Sequence, residues 1–250
     1  MGKIITIHSF RGGTGKSNLS ANLAVWTAQQ GNRVAVIDTD VQSPGIHVIF
    51  GLGREKISHT LNDFLRGNCT ISDTSVDLTK KLGLRRGSLY VIPASLNAKE
   101  ITRILREGYE VADLRKGFID IVREKKLDYL FIDTHPGVDR ETLLSMATTD
   151  YLFIVMRVDE QDFLGTAITI EISKKLSVPH VSLIVNMVPG IYDFENVRYE
   201  IERQFGIKVA TIIPLYKQMF ELGSRHLMTL KYPNHEFTKR INEIYKYIAR

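Results

Sequence analysis

Ser9-Phe10-Arg11-Gly12-Gly13-Thr14-Gly15-Lys16-Ser17 decides the reading of this 250-residue chain. The apolar run Ile4-Ile5-Thr6-Ile7 precedes it, and a helical pattern begins near Lys16. A strand, a glycine-rich turn and a helix start make a cradle for phosphate. Gly12, Gly13 and Gly15 let backbone N–H groups, including that of Thr14, converge on phosphate oxygens without Cβ obstruction. The helix start adds about half a positive charge. Lys16 can reach the β- and γ-phosphates, the Ser17 hydroxyl suits Mg²⁺, and Asn18 continues the same surface. Position 10, where such loops commonly carry glycine, is Phe. A cation, Arg11, stands just before the double glycine.

Outward from this turn, apolar runs recur at Val34–Ile37, Leu89–Ile92, Tyr129–Ile132, Tyr151–Met156, Val181–Val185 and Thr211–Ile213. Their near-continuous hydrophobicity suits parallel strands buried on both faces. Helical patterns lie between them. Leu19, Leu23 and Trp26 mark one face of the first helix, which Gly31 ends. Ile101 to Val122 carries one or two helices. Further helices are expected at Phe163 to Leu176, Phe194 to Phe205 and Phe237 to Ile248. Strands alternating with helices imply right-handed crossovers. The expected fold is α/β: a mostly parallel twisted sheet flanked by helices on both faces, with residues 1–250 as one domain. The segment Gly67 to Gly87 reads as surface loop and short helix.

Composition narrows the class. Hydrophobic content of 44% with 24% charged residues is that of an ordinary soluble protein. No apolar stretch approaches the ~18 residues of a membrane span, and the early first strand leaves no room for a leader. One cysteine, Cys69, excludes an intrachain disulfide framework and fits a reducing cytoplasm. Two copies would supply only one cysteine each, too few for a four-cysteine cluster. The net charge of +5 suits a solvated surface or a patch for DNA or anionic lipid.

Two acidic segments accompany the phosphate turn. Asp38 and Asp40, after Val36-Ile37, project to the same side if the extended geometry persists. In Tyr129-Leu130-Phe131-Ile132-Asp133, four apolar residues lead to an acid at a strand end, near the Mg²⁺ that Ser17 would hold. Gly137, shortly after, can offer its N–H to a γ-phosphate. His135 is read as a switch-loop histidine rather than an acid or base.

The opening run resembles the deviant Walker A motif of the ParA/MinD family of ATPases, Lys-Gly-Gly-x-Gly-Lys-Thr/Ser. Arg11 stands at the first, signature lysine. The resemblance covers nearly the whole chain and implies the P-loop NTPase fold, ATP and Mg²⁺. It also implies an ATP-dependent homodimer in which the signature residue crosses to the partner's nucleotide; Arg11 is thereby a catalytic and cross-dimer candidate. Asp38-Thr39-Asp40-Val41-Gln42 resembles the family's switch I. Asp38 would then orient or deprotonate the attacking water, and Asp40 would touch Mg²⁺ through a water. Asp133-Thr134-His135-Pro136-Gly137 resembles switch II, with His135 at a usual proline. Asn186 matches an asparagine that contacts the adenine edge, and Ile213-Pro214 resembles the loop that lines the base. Asp159 or Glu160 could contact the other subunit, or simply favour a helix start. Some relatives, the McdA branch among them, also lack the signature lysine.

Three functions follow from the resemblance. The first is an ATPase that coats the nucleoid nonspecifically and positions a plasmid, chromosome or organelle, with an adaptor protein that stimulates hydrolysis. Its DNA-binding candidates are Arg198, Arg203, Lys217, Arg225 and Lys231. The second is a membrane-associated spatial regulator using the stripe Phe237, Ile241, Ile244, Tyr245 and Ile248, although that stripe suits the core better. The third is a metallocentre-assembly ATPase, which the lone Cys69 opposes.

Overall fold

The computed structural model describes residues 2–249. Eight strands form one sheet: β1 Lys3–His8, β2 Arg33–Asp38, β3 Val76–Asp77, β4 Ser88–Ile92, β5 Tyr129–Asp133, β6 Tyr151–Met156, β7 His180–Val188 and β8 Val209–Pro214. Among the described residues lie eleven α-helices: α1 Lys16–Gln29, α2 Ile46–Ile49, α3 Leu61–Leu65, α4 Ala98–Glu107, α5 Val111–Glu124, α6 Arg140–Thr148, α7 Glu160–Lys175, α8 Phe194–Phe205, α9 Lys217–Leu222, α10 Met228–Lys231 and α11 Glu236–Ile248. The strand order is β3-β4-β2-β5-β1-β6-β7-β8. All pairings are parallel except β3 with β4, where Val76 faces Val91 and Asp77 faces Tyr90. β3 falls in the segment expected to be loop. Two residues paired at an edge leave no periodic signal to read.

Side-chain alternation in β1 builds both faces. Ile5 and Ile7 enter a core with Leu23 and Val25 of α1 and Ile241 and Ile244 of α11. Ile4 enters a second core with Leu114, Phe118 and Ile121 of α5. A third core joins Leu152 and Ile154 of β6 to Ile170 of α7 and Ile201 of α8. Each such side chain, once buried, contributes roughly 1.5–3 kcal/mol.

The first helix is buried on more than the face read from Leu19, Leu23 and Trp26. Ser20, Asn22 and Thr27 are buried too. They are accommodated because α1 lies between the sheet and the C-terminal helices. Asn22 Oδ1 accepts from Thr229 N (2.9 Å) and Thr229 Oγ1 (3.0 Å). Trp26 Nε1 donates to Asn242 Oδ1 at 3.2 Å. The stripe Phe237, Ile241, Ile244 and Ile248 of α11 is buried against α1 and β8. No described helix is long and apolar enough to cross a membrane.

The central strand β1 lies where the chain turns from building one side of the sheet to the other. Loops at the carboxyl ends of β1, β2 and β5 therefore converge there, the usual place for a ligand in such sheets.

Candidate functional site

The turn after β1 is held in shape by its own backbone. Ser9 Oγ donates to Arg11 O at 2.6 Å. Gly15, with φ +90, precedes the first residue of α1. No side chain caps α1, and its first turn carries no acid. Its N–H groups and partial positive charge are thus left for an anion. Thr14 Oγ1 is buried without a partner beside them. A polar cradle with open donors fits a phosphate chain.

Lys16 is almost fully buried, at 7% exposure. Burial lowers its pKa, while Asp133 and Asp40 pull the other way. Asp133 accepts from Ser20 Oγ at 2.9 Å, and Ser17 and Lys16 also lower its proton affinity. Burial nevertheless pushes Asp133 up to about 6. Asp38 sits directly across the β2–β5 pairing from Asp133. It is fully buried, and burial plus the neighbouring Asp133 raise its pKa well above the usual carboxylate range. Two buried acids side by side, with the single lysine Lys16 acting on Asp133, make a site short of positive charge. A divalent cation would meet that deficit, and the oxygen donors of Ser17, Asp133 and Asp40 are of the type that suits Mg²⁺.

Asp38 has a second engagement. Its Oδ2 accepts from Gly45 N (2.9 Å) and Ile46 N (3.1 Å), and its Oδ1 from Asp40 N (3.1 Å). The carboxylate thereby fixes the loop that leads into α2. The extended geometry expected through Asp40 does not persist, because β2 ends at Asp38. Thr39 Oγ1 turns to donate to Asp133 O at 2.9 Å, and Asp40 Oδ1 accepts from Ser43 N, three residues on, at 2.8 Å. Asp40 still acts on Lys16 and Asp133 through its charge.

The Gly137 N–H, expected to face a γ-phosphate, donates instead to Ser9 O at 3.2 Å. This bond ties the second acidic loop to the phosphate turn. His135 Nδ1 lies 3.6 Å from Asp139 Oδ2, with the side chain 30% exposed. A histidine the sequence did not mark, His8, is fully buried at the end of β1. Its Nδ1 is 2.8 Å from Thr134 Oγ1. Thr134 Oγ1 in turn donates to Ile7 O at 3.2 Å, so the ring Nδ1 is the donor. Burial and the neighbouring Lys16 push His8 down to about 3. It is neutral at physiological pH.

Beyond Gly15 a cavity of about 250 Å³ opens between α1, the ends of β7 and β8, and α9. Asn18, Asn186, Met187, Pro214, Tyr216 and Phe220 line it. Its largely apolar walls suit a purine ring. A β-bulge between Val185 and Val188 shapes the end of β7. Asn186 Nδ2 donates to Thr14 O at 2.7 Å. The amide read as an adenine contact therefore also braces the phosphate turn. Asn18 Nδ2 reaches Ser224 Oγ at 3.4 Å.

Arg11 and Asp159, both read as cross-dimer candidates, face each other within one subunit at 3.6 Å. Arg11 also lies 3.8 Å from Asp162. Arg157 completes the group, with Nε on Asp162 Oδ2 at 2.9 Å and Nη2 on Asp159 Oδ2 at 3.1 Å. Asp159 additionally caps α7 by accepting from Asp162 N at 2.9 Å.

The five DNA-binding candidates divide. Arg198 is half-buried and donates to the Val209 carbonyl, so it serves the fold rather than a free surface. Arg203 pairs with Glu200, and Lys217 with Glu221 at 3.4 Å. Arg225 is exposed, and Lys231 Nζ lies 5.7 Å from the Tyr232 ring centroid.

An ATP-binding protein of Methanocaldococcus jannaschii is 33% identical over 184 residues, which are 74% of this chain and 64% of that relative. An iron-sulfur cluster carrier protein of Aquifex aeolicus is 25% identical over 260 residues, covering 99% of this chain and 67% of its own. In fold, the septum site-determining protein MinD with Mg-ADP from Pyrococcus horikoshii superposes with a TM-score of 0.82 at 18% identity, over 99% of this chain and 96% of that one. Apo McdA from Cyanthece gives 0.77 at 17% identity, over 98% and 99%. The ParA family profile, described as NUBPL iron-transfer P-loop NTPase, matches residues 1–249. The chain belongs to this family of P-loop NTPases and shares its fold with MinD and McdA.

Proposed function

We propose that this protein is an Mg-ATP-dependent, dimerising ATPase that positions an intracellular cargo by ATP-gated, nonspecific DNA binding. The observation that carries the ATPase part of this reading is the pair Asp38 and Asp133, buried opposite one another across β2 and β5, with the charge of Lys16 acting on Asp133. In the working enzyme Lys16 and the start of α1 hold the β- and γ-phosphates. Ser17, Asp133 and Asp40 would hold Mg²⁺, which would supply positive charge beside the phosphoryl group. Asp38 orients the attacking water. Phosphoryl transfer needs chiefly positioning and charge neutralisation, so no stronger base is required. Because Asp38 also holds the α2 loop, its engagement with water would change that loop's backbone bonds. This supports a switch that reports nucleotide state to a second copy of the chain and to an adaptor protein.

A second reading comes from the relatives named iron-sulfur cluster carriers. A cluster carried as cargo needs thiolates. The one cysteine, Cys69, has its thiol pushed up to about 11 by burial and by Asp63 and Asp73. A protonated thiol is a poor iron ligand, and a homodimer would bring only two. The residues of this chain do not fit such a cargo, and the DNA-positioning reading is preferred.

Co-sedimentation with DNA and with anionic liposomes, each with ATP and with ADP, tests the proposal. DNA binding that rises with ATP supports it. Liposome binding alone overturns it. Stoichiometric iron retained after anaerobic cluster reconstitution would favour the carrier reading instead.

A further inference from the structure

We propose that the end of the sheet opposite the nucleotide site is a second binding surface, for the phosphate backbone of duplex nucleic acid. It is built on Lys80, Arg85 and Arg86 and acts without nucleotide. It goes beyond the ATP-gated reading above and stands or falls apart from it.

Residues 80–86 carry four cations, Lys80, Lys81, Arg85 and Arg86, and no acid. They form the connection from β3 to β4. Leu82 N donates to Leu78 O, Gly83 N to Lys80 O and Leu84 N to Thr79 O, which folds the connection on itself. Leu82 and Leu84 pack against the core. With the leucines turned in, Lys80, Arg85 and Arg86 are exposed. Lys81 has a structural task, donating to Phe50 O (2.8 Å) and Gly51 O (2.6 Å). The other three make no ion pair or side-chain hydrogen bond with any described residue.

Position follows from register. Ser88, the first residue of β4, pairs with Arg33, the first of β2, and Ser88 N donates to Asn32 O at 3.0 Å. The nucleotide loops leave the other ends of these strands. Arg33 extends the basic surface to the β5 side, where its guanidinium donates to Lys125 O (2.6 Å) and Lys126 O (3.1 Å).

Helix C-termini lie at this end and attract cations. That accounts for Arg33, which bonds the carbonyls closing α5. It does not account for Lys80, Arg85 and Arg86, which bond none. Glu55 acts on Lys81, and the other local acids are already engaged. Asp77 accepts from Thr79 N and Asp128 from Arg33 N; Asp120 pairs with Arg123, and Glu124 accepts from Ser72. Three of the C-terminal candidates, Arg198, Arg203 and Lys217, are by contrast occupied.

Unpaired cations on a rigid loop are what a polyphosphate needs. A lipid surface would be gripped by apolar insertion as well. Of the large apolar side chains exposed among the described residues, none falls in residues 76–88 or 29–35, and Ile119 on the β5 side stands alone, too little for an inserting face. The ligand class is therefore a nucleic-acid backbone.

The test is fluorescence anisotropy of a labelled DNA duplex with the full chain and no nucleotide, titrated across salt concentration. The wild type should bind at low salt, with log affinity falling linearly in log salt. Each phosphate contact adds about 0.9 to that slope. The triple variant Lys80→Gln, Arg85→Gln, Arg86→Gln should lower the slope by about 3 and weaken low-salt affinity ~10-fold or more, with ATP turnover unchanged. Equal affinity and slope in variant and wild type would overturn the proposal. So would absence of nucleotide-free binding, or binding to phosphatidylglycerol vesicles without binding to the duplex. The rise in affinity on adding ATP, measured on the wild type, judges the gated reading separately.

Discussion

Arg11 Nη1 and Asp159 Oδ1 lie 3.6 Å apart within one subunit, and both side chains are well exposed, at 40% and 39%. Such a pair contributes under about 1 kcal/mol, because solvent screens it and two side chains must be ordered to make it. It is easily exchanged for a phosphate oxygen. Arg157 and Asp162 differ, since the Asp162 side chain is only 2% exposed. Arg11→Ala should therefore change monomer stability by less than about 1 kcal/mol while reducing ATP-dependent dimerisation and turnover ~10-fold or more. Arg157→Ala leaves a buried carboxylate short of its main partner and should cost roughly 3 kcal/mol. Denaturant melts and size-exclusion chromatography with ATP check both. Equal destabilisation by the two variants would contradict the division of roles.

Gly165 lies in the middle of α7, where alanine normally gains about 1 kcal/mol. Here a Cβ would meet Phe10 Cδ1 and Cγ at 2.4 Å. The Phe at position 10 anchors the phosphate turn to α7 through that gap. Gly165→Ala should destabilise by roughly 1–3 kcal/mol and weaken ATP binding by displacing the turn. Adding Phe10→Ala should relieve the clash, so the two changes will be strongly non-additive. A double-mutant cycle on melting and ATP affinity measures the coupling, and additive effects would refute the contact's role.

Which features were legible in the sequence follows from the physics of each. Seven parallel strands were readable because buried strands are apolar along their length; β3 was not, being two residues long. Lys16, Ser17, Asp38 and Asp133 were readable because a phosphate and its cation demand those residue types beside a glycine turn. The contacts of Arg11 with Asp159 and of Asn186 with Thr14 were not, because only the order of β1, β6 and β7 in the sheet brings them together. Phe10 stood out as an exception to the motif, but its reason, Gly165, lies on a distant helix. Arg198 carried no mark to separate a structural arginine from a surface one.

Asp133 holds its proton up to about 6 when folded, against 3.8 for the ordinary carboxyl. A raised acid stabilises the fold fully below about 3.8, and that stabilisation is lost as pH rises past about 6. At neutral pH without Mg²⁺ the charged, buried group is a liability on the order of 3 kcal/mol. Asp133→Asn should raise metal-free stability at pH 7.5 by a comparable amount. It should also abolish the extra stabilisation that Mg-ADP gives the wild type. Thermal melts with and without Mg-ADP check this, and an unchanged Mg-ADP effect would remove Asp133 from the metal site.

His8 gives the opposite slope. Its imidazole would take a proton near pH 6.5 in the unfolded chain but not until about 3 when buried on Thr134. The unfolded state therefore binds more protons across that window. Stability due to His8 is complete above about 6.5 and is lost as pH falls toward 3. Between pH 6.5 and 5 the loss is roughly 2 kcal/mol. His8→Asn removes the titrating group and retains an N–H donor for Thr134 Oγ1. Subtracting the variant's stability–pH curve from that of the wild type cancels Asp133, which titrates in both. The difference should grow with acidity from about pH 6.5 downward. A flat difference would mean that His8 is protonated in the folded protein, and that the donor role given to its Nδ1 no longer fixes its other ring nitrogen as a neutral acceptor.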